Sequence, residues 1–290
     1  MPESAEKANR QRQEPGEDEM NDFKDRIAIV TGGASGIGQG IARALAGEGA
    51  HIVVADIDEA AASKASEDLR GRGVRSIAVR TDVREDASVE ALFEAAATEF
   101  DGIDLVFNNA GVYLGGEMRD CTWDDWRFVL DVNLDGVFRV GQKTAAFLRA
   151  QGRGGYVVNT ASIGGFLSHG GGLAYAVSKY GVVAYSEAMR TDLEADGIGV
   201  STLCPGPIET NLPASDRLRA QSERTGGVSE ALSPFIRGGM APDAVGPIVL
   251  SGIRRNLPYI FTHDDMRDAF QARFDSVLDC IDRIGEPPAA

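Results

Sequence analysis

Ile27-Ala28-Ile29-Val30-Thr31-Gly32-Gly33-Ala34-Ser35-Gly36-Ile37-Gly38 is the stretch from which the fold can be read. Its first four residues are β-branched or small and apolar, as a strand buried on both faces requires, and a helical pattern starts where the glycines end. Gly32 and Gly36 permit a tight turn and a close approach of backbone to a ligand, while Gly38 lets the new helix pack on the strand. Ser35 and Ile37 complete the turn. The first N–H groups of the helix then face whatever lies over the turn, which favours a phosphate. The next strand signal, at 51–55, is followed by Asp56, a carboxylate placed to accept hydrogen bonds from two ribose hydroxyls. Strand, glycine turn, helix and downstream acid together point to a dinucleotide. A carboxylate there repels a 2′-phosphate, and no Lys or Arg stands at Ala34, Ser35 or Ile57, so NAD is the expected cofactor rather than NADP.

Outward from this unit, β-rich runs at 27–30, 51–55, 76–80, 105–108, 155–160, 200–203 and 259–262 alternate with helical stretches that begin near Gly36, Glu59, Ser88, Trp123, Tyr175 and Pro242. That alternation predicts an α/β fold: a Rossmann-type doubly wound parallel sheet of seven strands, three layers deep (α/β/α), in a single domain over 23–290. Residues 1–22 are polar and charged with almost no large apolar side chain, so they are expected to form a disordered tail. Two segments break the rhythm on the side where the strands' carboxyl ends open onto a ligand crevice: 164–172, which holds Gly170-Gly171-Gly172, and 207–239, expected to be a substrate lid. Beyond Asp264, residues 266–284 show helical spacing of apolar residues and are expected to pack on the domain or on a neighbouring subunit.

Composition excludes several classes of function. The chain has 290 residues and a formal net charge of -15, which argues against a nucleic-acid partner. Cys121, Cys204 and Cys280 are far apart and lack metal-ligand spacing, so free thiols are expected. No apolar run approaches the ~18 residues of a membrane span and the first residues lack the apolar core of a signal peptide, so no membrane partner and a cytoplasmic location are expected. Asp124, Asp125, Asp131 and Asp135 fall around one helix and read as its solvated face, not as a metal site. His51, His169 and His263 form no triad with Ser162 on this topology.

Tyr175-Ala176-Val177-Ser178-Lys179 sets a phenol and an ammonium four residues apart, on one face of a helix. A nearby cation favours a phenolate and is expected to bring the phenol below its ordinary pKa of about 10. Over 24–261 the chain resembles the short-chain dehydrogenases/reductases: the spacing Thr-Gly-x-x-x-Gly-x-Gly at Thr31 to Gly38, Asn108-Asn109-Ala110-Gly111 after the fourth strand, Ser162, and the Tyr175/Lys179 pair all match that family. The resemblance implies that Asp82 and Val83 contact adenine and that Asn109, Ala110 and Gly111 line the cofactor cleft. It also implies that Pro205, Gly206, Ile208 and Thr210 lie beside the nicotinamide, and that Asn133 holds a proton-relay water. The implied catalytic set is Asn133, Ser162, Tyr175 and Lys179, with Tyr175 and Lys179 also touching the cofactor.

The implied reaction is hydride exchange between NAD(H) and an alcohol or ketone, with Tyr175 as acid/base, Ser162 on the substrate oxygen and no metal. Leu167, Leu212, Leu218, Leu232 and Phe235 suggest an apolar pocket for a hydrophobic secondary alcohol, while Arg217, Arg219, Arg224 and Arg237 are cations that a closing lid could bring to an acid group. The stretch from Asn256 to Phe261, with Asp265-Met266-Arg267 and Phe270 to Phe274, loosely resembles Cα-dehydrogenases of aryl ether alcohols. Family members usually assemble as homotetramers through the helices matching 123–151 and 175–195, and the same is expected here. A different class, an NAD-binding redox sensor or scaffold without turnover, would tolerate loss of Tyr175 or Lys179, which this chain keeps. Dehydration or epimerisation through a transient ketone is a third reading.

Overall fold

In the computed structural model, which describes residues 22–168, 170–219 and 236–284, every strand of the sheet runs parallel to its neighbours. The strands are β1 (Ile27–Thr31), β2 (His51–Asp56), β3 (Ser76–Arg80), β4 (Leu105–Asn108), β5 (Gly155–Thr160), β6 (Ile198–Cys204) and β7 (Tyr259–Phe261). Their spatial order is β3-β2-β1-β4-β5-β6-β7, so the direction of winding reverses between β1 and β4 and a crevice opens there at the strands' carboxyl ends. Alternate residues serve opposite faces: Ala28, Val30, Ile52 and Val54 join one core, Ile29, Val53, Ala55 and Val106 the other.

Helices α1 (Gly36–Gly47), α2 (Glu59–Gly71) and α7 (Pro242–Arg254) close the first core. The second lies under α3 (Asp86–Glu99), α4 (Trp123–Leu130), α5 (Gly136–Gln151) and the start of α6 (Leu173–Leu193). Three helix or strand starts move outward from their expected positions: α3 begins at Asp86 instead of Ser88, α6 at Leu173 instead of Tyr175, and β6 at Ile198 instead of Val200. The helix expected to run unbroken over 123–151 is divided by a π turn at Asp131–Asp135, which contains Asn133. A π turn inserts one residue into the helical path and is often found at functional sites.

The C-terminal helix α8 (Arg267–Asp282) has no buried residue. Its first turns pack on the domain: the Phe270 ring lies 5.2 Å from Phe166 and 5.4 Å from Phe261, and the Arg273 guanidinium lies 5.4 Å from the Tyr180 ring centroid. Against the described residues, Phe274, Val277, Leu278 and Ile281 remain exposed. The three cysteines are free, and Cys280 on α8 is exposed. Residues 1–21, the lid segment 220–235 with Arg224, Leu232 and Phe235, and His169 lie outside the described residues.

Candidate active site

A hydrogen-bonded clamp holds the crevice open between β1 and β4. Thr31 Oγ1 donates to Phe107 O at 3.3 Å and accepts from the backbone N–H groups of Asn109 at 2.9 Å and Ala110 at 3.0 Å. Asn109 Nδ2 returns a bond to Thr31 O at 3.1 Å, and Asn108 Nδ2 donates to Val137 O at 2.7 Å, fixing the end of β4 to α5. Between these strand ends the glycine turn has φ of 62° at Gly32 and 52° at Gly36, values that L side chains rarely adopt. At Gly38 a Cβ would lie 2.2 Å from Gly32 O, so any other residue would push α1 off the turn. A side chain would therefore strain the turn at Gly32 and Gly36 and collide with backbone at Gly38.

Asp56 lines the same crevice beyond the glycine turn. Its Oδ2 accepts from Ala34 N at 3.1 Å and its Oδ1 from Asp58 N at 3.1 Å, so the carboxylate braces the glycine turn it faces. Burial pushes its pKa above the ordinary carboxylate value, against the lowering by those backbone bonds. Arg84 lines the same end, but its guanidinium is bound to Asp82, with Nε at 2.9 Å from Oδ1 and Nη2 at 2.6 Å from Oδ2. Burial raises the Asp82 pKa, yet the Arg84 bonds outweigh it and hold the group below its usual range. A dinucleotide fits this half: N–H groups over a turn without side chains, a braced carboxylate for the ribose, and no cation committed to a 2′-phosphate among the cleft's residues.

One cleft of about 540 Å³ joins this half to the Tyr175 region. Of the residues expected at the site, all line it except Gly38 and Asn133, which stand behind its wall. Asn133 is fully buried. Its Oδ1 accepts from Val112 N at 2.8 Å, and its Nδ2 donates to Val112 O at 2.9 Å and to Ser178 Oγ at 3.1 Å. Ser178 Oγ in turn donates to Tyr175 O at 2.7 Å, so the asparagine side chain is a brace between the β4 exit and α6. A Cβ on Gly111 would lie 3.5 Å from Asn133 Oδ1 and 3.6 Å from Lys179 Nζ, which locates the brace beside the lysine.

Lys179 is buried and its Nζ donates to Thr160 O at 2.9 Å, with the Tyr175 ring centroid 5.6 Å away. Burial pulls the ammonium down to about 8. The phenol of Tyr175 moves the other way: burial pushes it up to about 12, opposed by a hydrogen bond from Ser162 and reinforced by Tyr113. The expected lowering by Lys179 is therefore overturned in the protein alone, because both groups are taken out of water and the ammonium is turned toward a carbonyl. Ser162 extends from the exit of β5, where its Oγ accepts from Gly164 N at 3.1 Å.

Three features were not read from the sequence. Tyr113, next to Gly111 and Val112, packs edge-on against Tyr175 with centroids 5.0 Å apart. Ser215, in a 3-10 turn spanning Leu212–Leu218, accepts from Tyr113 N at 3.0 Å. Asp125 is buried instead of lying on a solvated face, and its Oδ1 accepts from Arg219 Nη1 at 2.7 Å. Arg219 is thereby turned away from the cleft, whereas Arg217 lines it. Among the described residues no three His, Cys, Asp or Glu side chains come together as a metal site, and no helix is long and apolar enough to cross a membrane.

The family model described as short chain dehydrogenase matches residues 26–221. A Cα-dehydrogenase from Sphingobium sp. strain SYK-6 is 32% identical over 282 residues, covering 93% of this chain and 90% of the relative. A short chain dehydrogenase/reductase from Burkholderia phymatum, solved in complex with NAD, superposes with a TM-score of 0.86 at 31% identity, covering 93% of this chain and 99% of that one. The apo form of LigD from Sphingobium sp. strain SYK-6 gives a TM-score of 0.77 at 27% identity, covering 92% and 100%.

Proposed function

The chain belongs to the short-chain dehydrogenase family, and from that membership we propose that it is an NAD-dependent oxidoreductase interconverting a hydrophobic secondary alcohol and its ketone. The observation that carries the proposal is the meeting of Ser162, Tyr175 and Lys179 in one wall of the cleft whose far end is built around Asp56. When bound, NAD supplies the hydride acceptor. The turn from Gly32 to Gly38 would hold its pyrophosphate, Asp56 its adenosine ribose, Asp82 and Val83 its adenine, and Asn109, Ala110 and Gly111 its central part. Pro205, Gly206, Ile208 and Thr210 would flank the nicotinamide. The complex of the Burkholderia relative with NAD supports this choice.

Tyr175 holds the proton that the carbinol oxygen loses or gains, Ser162 aligns that oxygen, and Lys179 binds the nicotinamide ribose. Asn133 positions Val112 and Ser178 around them and completes the proposed catalytic tetrad. The substrate end is bounded by Tyr113, Phe128, Leu167, Leu218, Ile236 and Met266, an apolar enclosure suited to an aryl or alicyclic group. Similarity to a Cα-dehydrogenase supports an aryl carbinol within that class. The chain is proposed to act as one catalytic domain, with residues 207–239 as lid, in a cytoplasmic homotetramer. Exposed Trp123 on α4 and Phe138 on α5 offer apolar surface on the helices expected to meet.

A panel of aryl and alicyclic secondary alcohols with NAD or NADP at alkaline pH, followed by nicotinamide absorbance, tests the proposal. NADH formation with at least one alcohol, and slower turnover with NADP, is the expected result. Tight NADH binding with no turnover on the whole panel would replace the enzyme with a redox sensor.

A further inference from the structure

Tyr113 touches three parts of the substrate side: the Tyr175 ring, the glycine loop and the 212–218 turn. Its ring is buried and meets the Tyr175 ring edge-on, at an interplanar angle of 68° and a centroid separation of 5.0 Å. Its hydroxyl donates to Gly171 O at 3.0 Å, the carbonyl that also accepts from Gly116 N at 3.0 Å. Gly171 and Gly172 lead directly into α6, whose first turn carries Tyr175. Gly172 packs closely on the same residue, since a Cβ there would lie 3.2 Å from the Tyr113 hydroxyl oxygen and would press it aside. The Tyr113 backbone N–H donates to Ser215 Oγ at 3.0 Å, and that hydroxyl closes on Leu212 O at 2.6 Å, so the 3-10 turn Leu212–Leu218 is fastened to Tyr113 as well.

We propose that Tyr113 is a positioning residue for the proton-transfer group: its ring edge fixes the Tyr175 phenol, its hydroxyl ties the glycine loop to it, and its backbone N–H holds the 212–218 turn beside them. The proposal rests on the reading of Tyr175 as the acid/base. An edge-to-face aromatic pair is favourable beyond its buried area and fixes an orientation, which a flexible aliphatic side chain would not. The groups facing the Tyr175 phenol are Ser162 from the β5 exit, Lys179 from α6 and Tyr113 from the β4 exit. Of these, Tyr113 alone is aromatic and keeps water from the phenol without charging it. Burial raises the Tyr113 pKa, so its hydroxyl remains a donor to Gly171 throughout the working range.

Two variants separate the two halves of the proposal. Tyr113→Phe keeps the ring and removes the tie: KM for the panel alcohol that wild type oxidises fastest is expected to rise about two- to tenfold, the worth of one hydrogen bond, with kcat nearly unchanged. In the same variant without cofactor, amide hydrogen exchange at Gly116, which shares the Gly171 carbonyl, should accelerate. Tyr113→Leu removes the ring edge as well: kcat is expected to fall about ten- to a hundredfold through misplacement of the phenol. Water admitted beside the phenol should also move the rising limb of kcat against pH to lower pH, a change that a purely structural defect would not make. NADH affinity and melting temperature report whether each variant is folded. If Tyr113→Leu does not fold, Tyr113→Phe decides: wild-type KM together with wild-type exchange at Gly116 overturns the proposal. A folded Tyr113→Leu with wild-type kcat and pH profile overturns it equally. Tyr175→Phe is measured beside them, and activity retained there would remove the acid/base reading itself, an outcome distinct from any given by Tyr113.

Discussion

The cofactor half of the cleft and the substrate half are built on different physics. Around Gly32, Asp56 and Asn109, strand ends are buried and the polar groups bond one another: Thr31 alone serves Phe107, Asn109 and Ala110. Around residues 164–172 and 207–219 the chain runs in glycine-rich loop and 3-10 turn, held at separate points by Tyr113, Ser215 and Arg219. The first half depends on the sheet and would look much the same with any substrate. The second is held by local turns, a few backbone bonds such as Gly116 N to Gly171 O and Met240 N to Pro207 O, and these side chains, so substrate choice can change without disturbing the sheet, which is why the family is easily read from such a sequence and the substrate is not.

The largest expected effect lies on the border between the halves. Tyr175→Phe removes one oxygen and should lower turnover about 10²- to 10⁴-fold, while NADH affinity, measured by fluorescence, changes less than a few fold. A parallel loss of NADH binding would show that the two halves are one unit. Asp125→Ala tests how firmly the 212–219 segment is joined to the core. It removes one of the two carboxylates paired with the buried Arg219 guanidinium and the acceptor of the Thr122 N–H in the capping box, and should cost about 2 to 4 kcal/mol in urea unfolding. A loss near zero would show that this segment contributes nothing to the stability of the core.

Lys179→Met sharpens the comparison from the stability side. The ammonium sits at about 8 in the folded chain against an ordinary 10.5, so the unfolded chain binds more protons between those values and this group's contribution to stability rises with pH across that window. At neutral pH its burial costs about 3 kcal/mol, partly offset by the Thr160 bond. The methionine variant should therefore be inactive yet about 1 to 3 kcal/mol more stable at pH 7, an advantage that fades as pH rises from about 8 to 10.5. An advantage independent of pH would mean that the charge is not its cause. The smallest effect concerns Asp56: NAD should exceed NADP in kcat/KM by about tenfold or more, equivalent to roughly 1.4 kcal/mol. Replacing Asp56 with Ala and Ile57 with Arg should narrow that ratio. An unchanged ratio would locate cofactor choice outside the braced half.

The sheet was legible because its strands carry the signal in themselves: 27–31 and 51–56 are apolar runs that end at a glycine turn and an aspartate. Lys179 and Tyr175 were legible as a pair at helical spacing, but their proton affinities were not, since spacing reveals the neighbouring charge and conceals the burial that outweighs it. Asp125 was misread for a related reason. As one of four acidic residues around a helix it resembles a solvated face, and the partner that buries it, Arg219, is 94 residues away. Tyr113 adjoined a recognised motif, yet its meaning depends on a ring that arrives from α6.

The π turn at Asp131–Asp135 gives the segment from α4 to α5 one residue more than an unbroken α-helix would need. Deleting a single residue there would let the helix run straight through with α4 and α5 in nearly the same phase, because the wider turn absorbs the extra residue. Asp125 would keep its side toward Arg219, whereas the turn that brings Asn133 to Val112 and Ser178 would close. Here the spacing itself is the constraint: the added residue serves the bulge and the asparagine it carries, not the helices on either side.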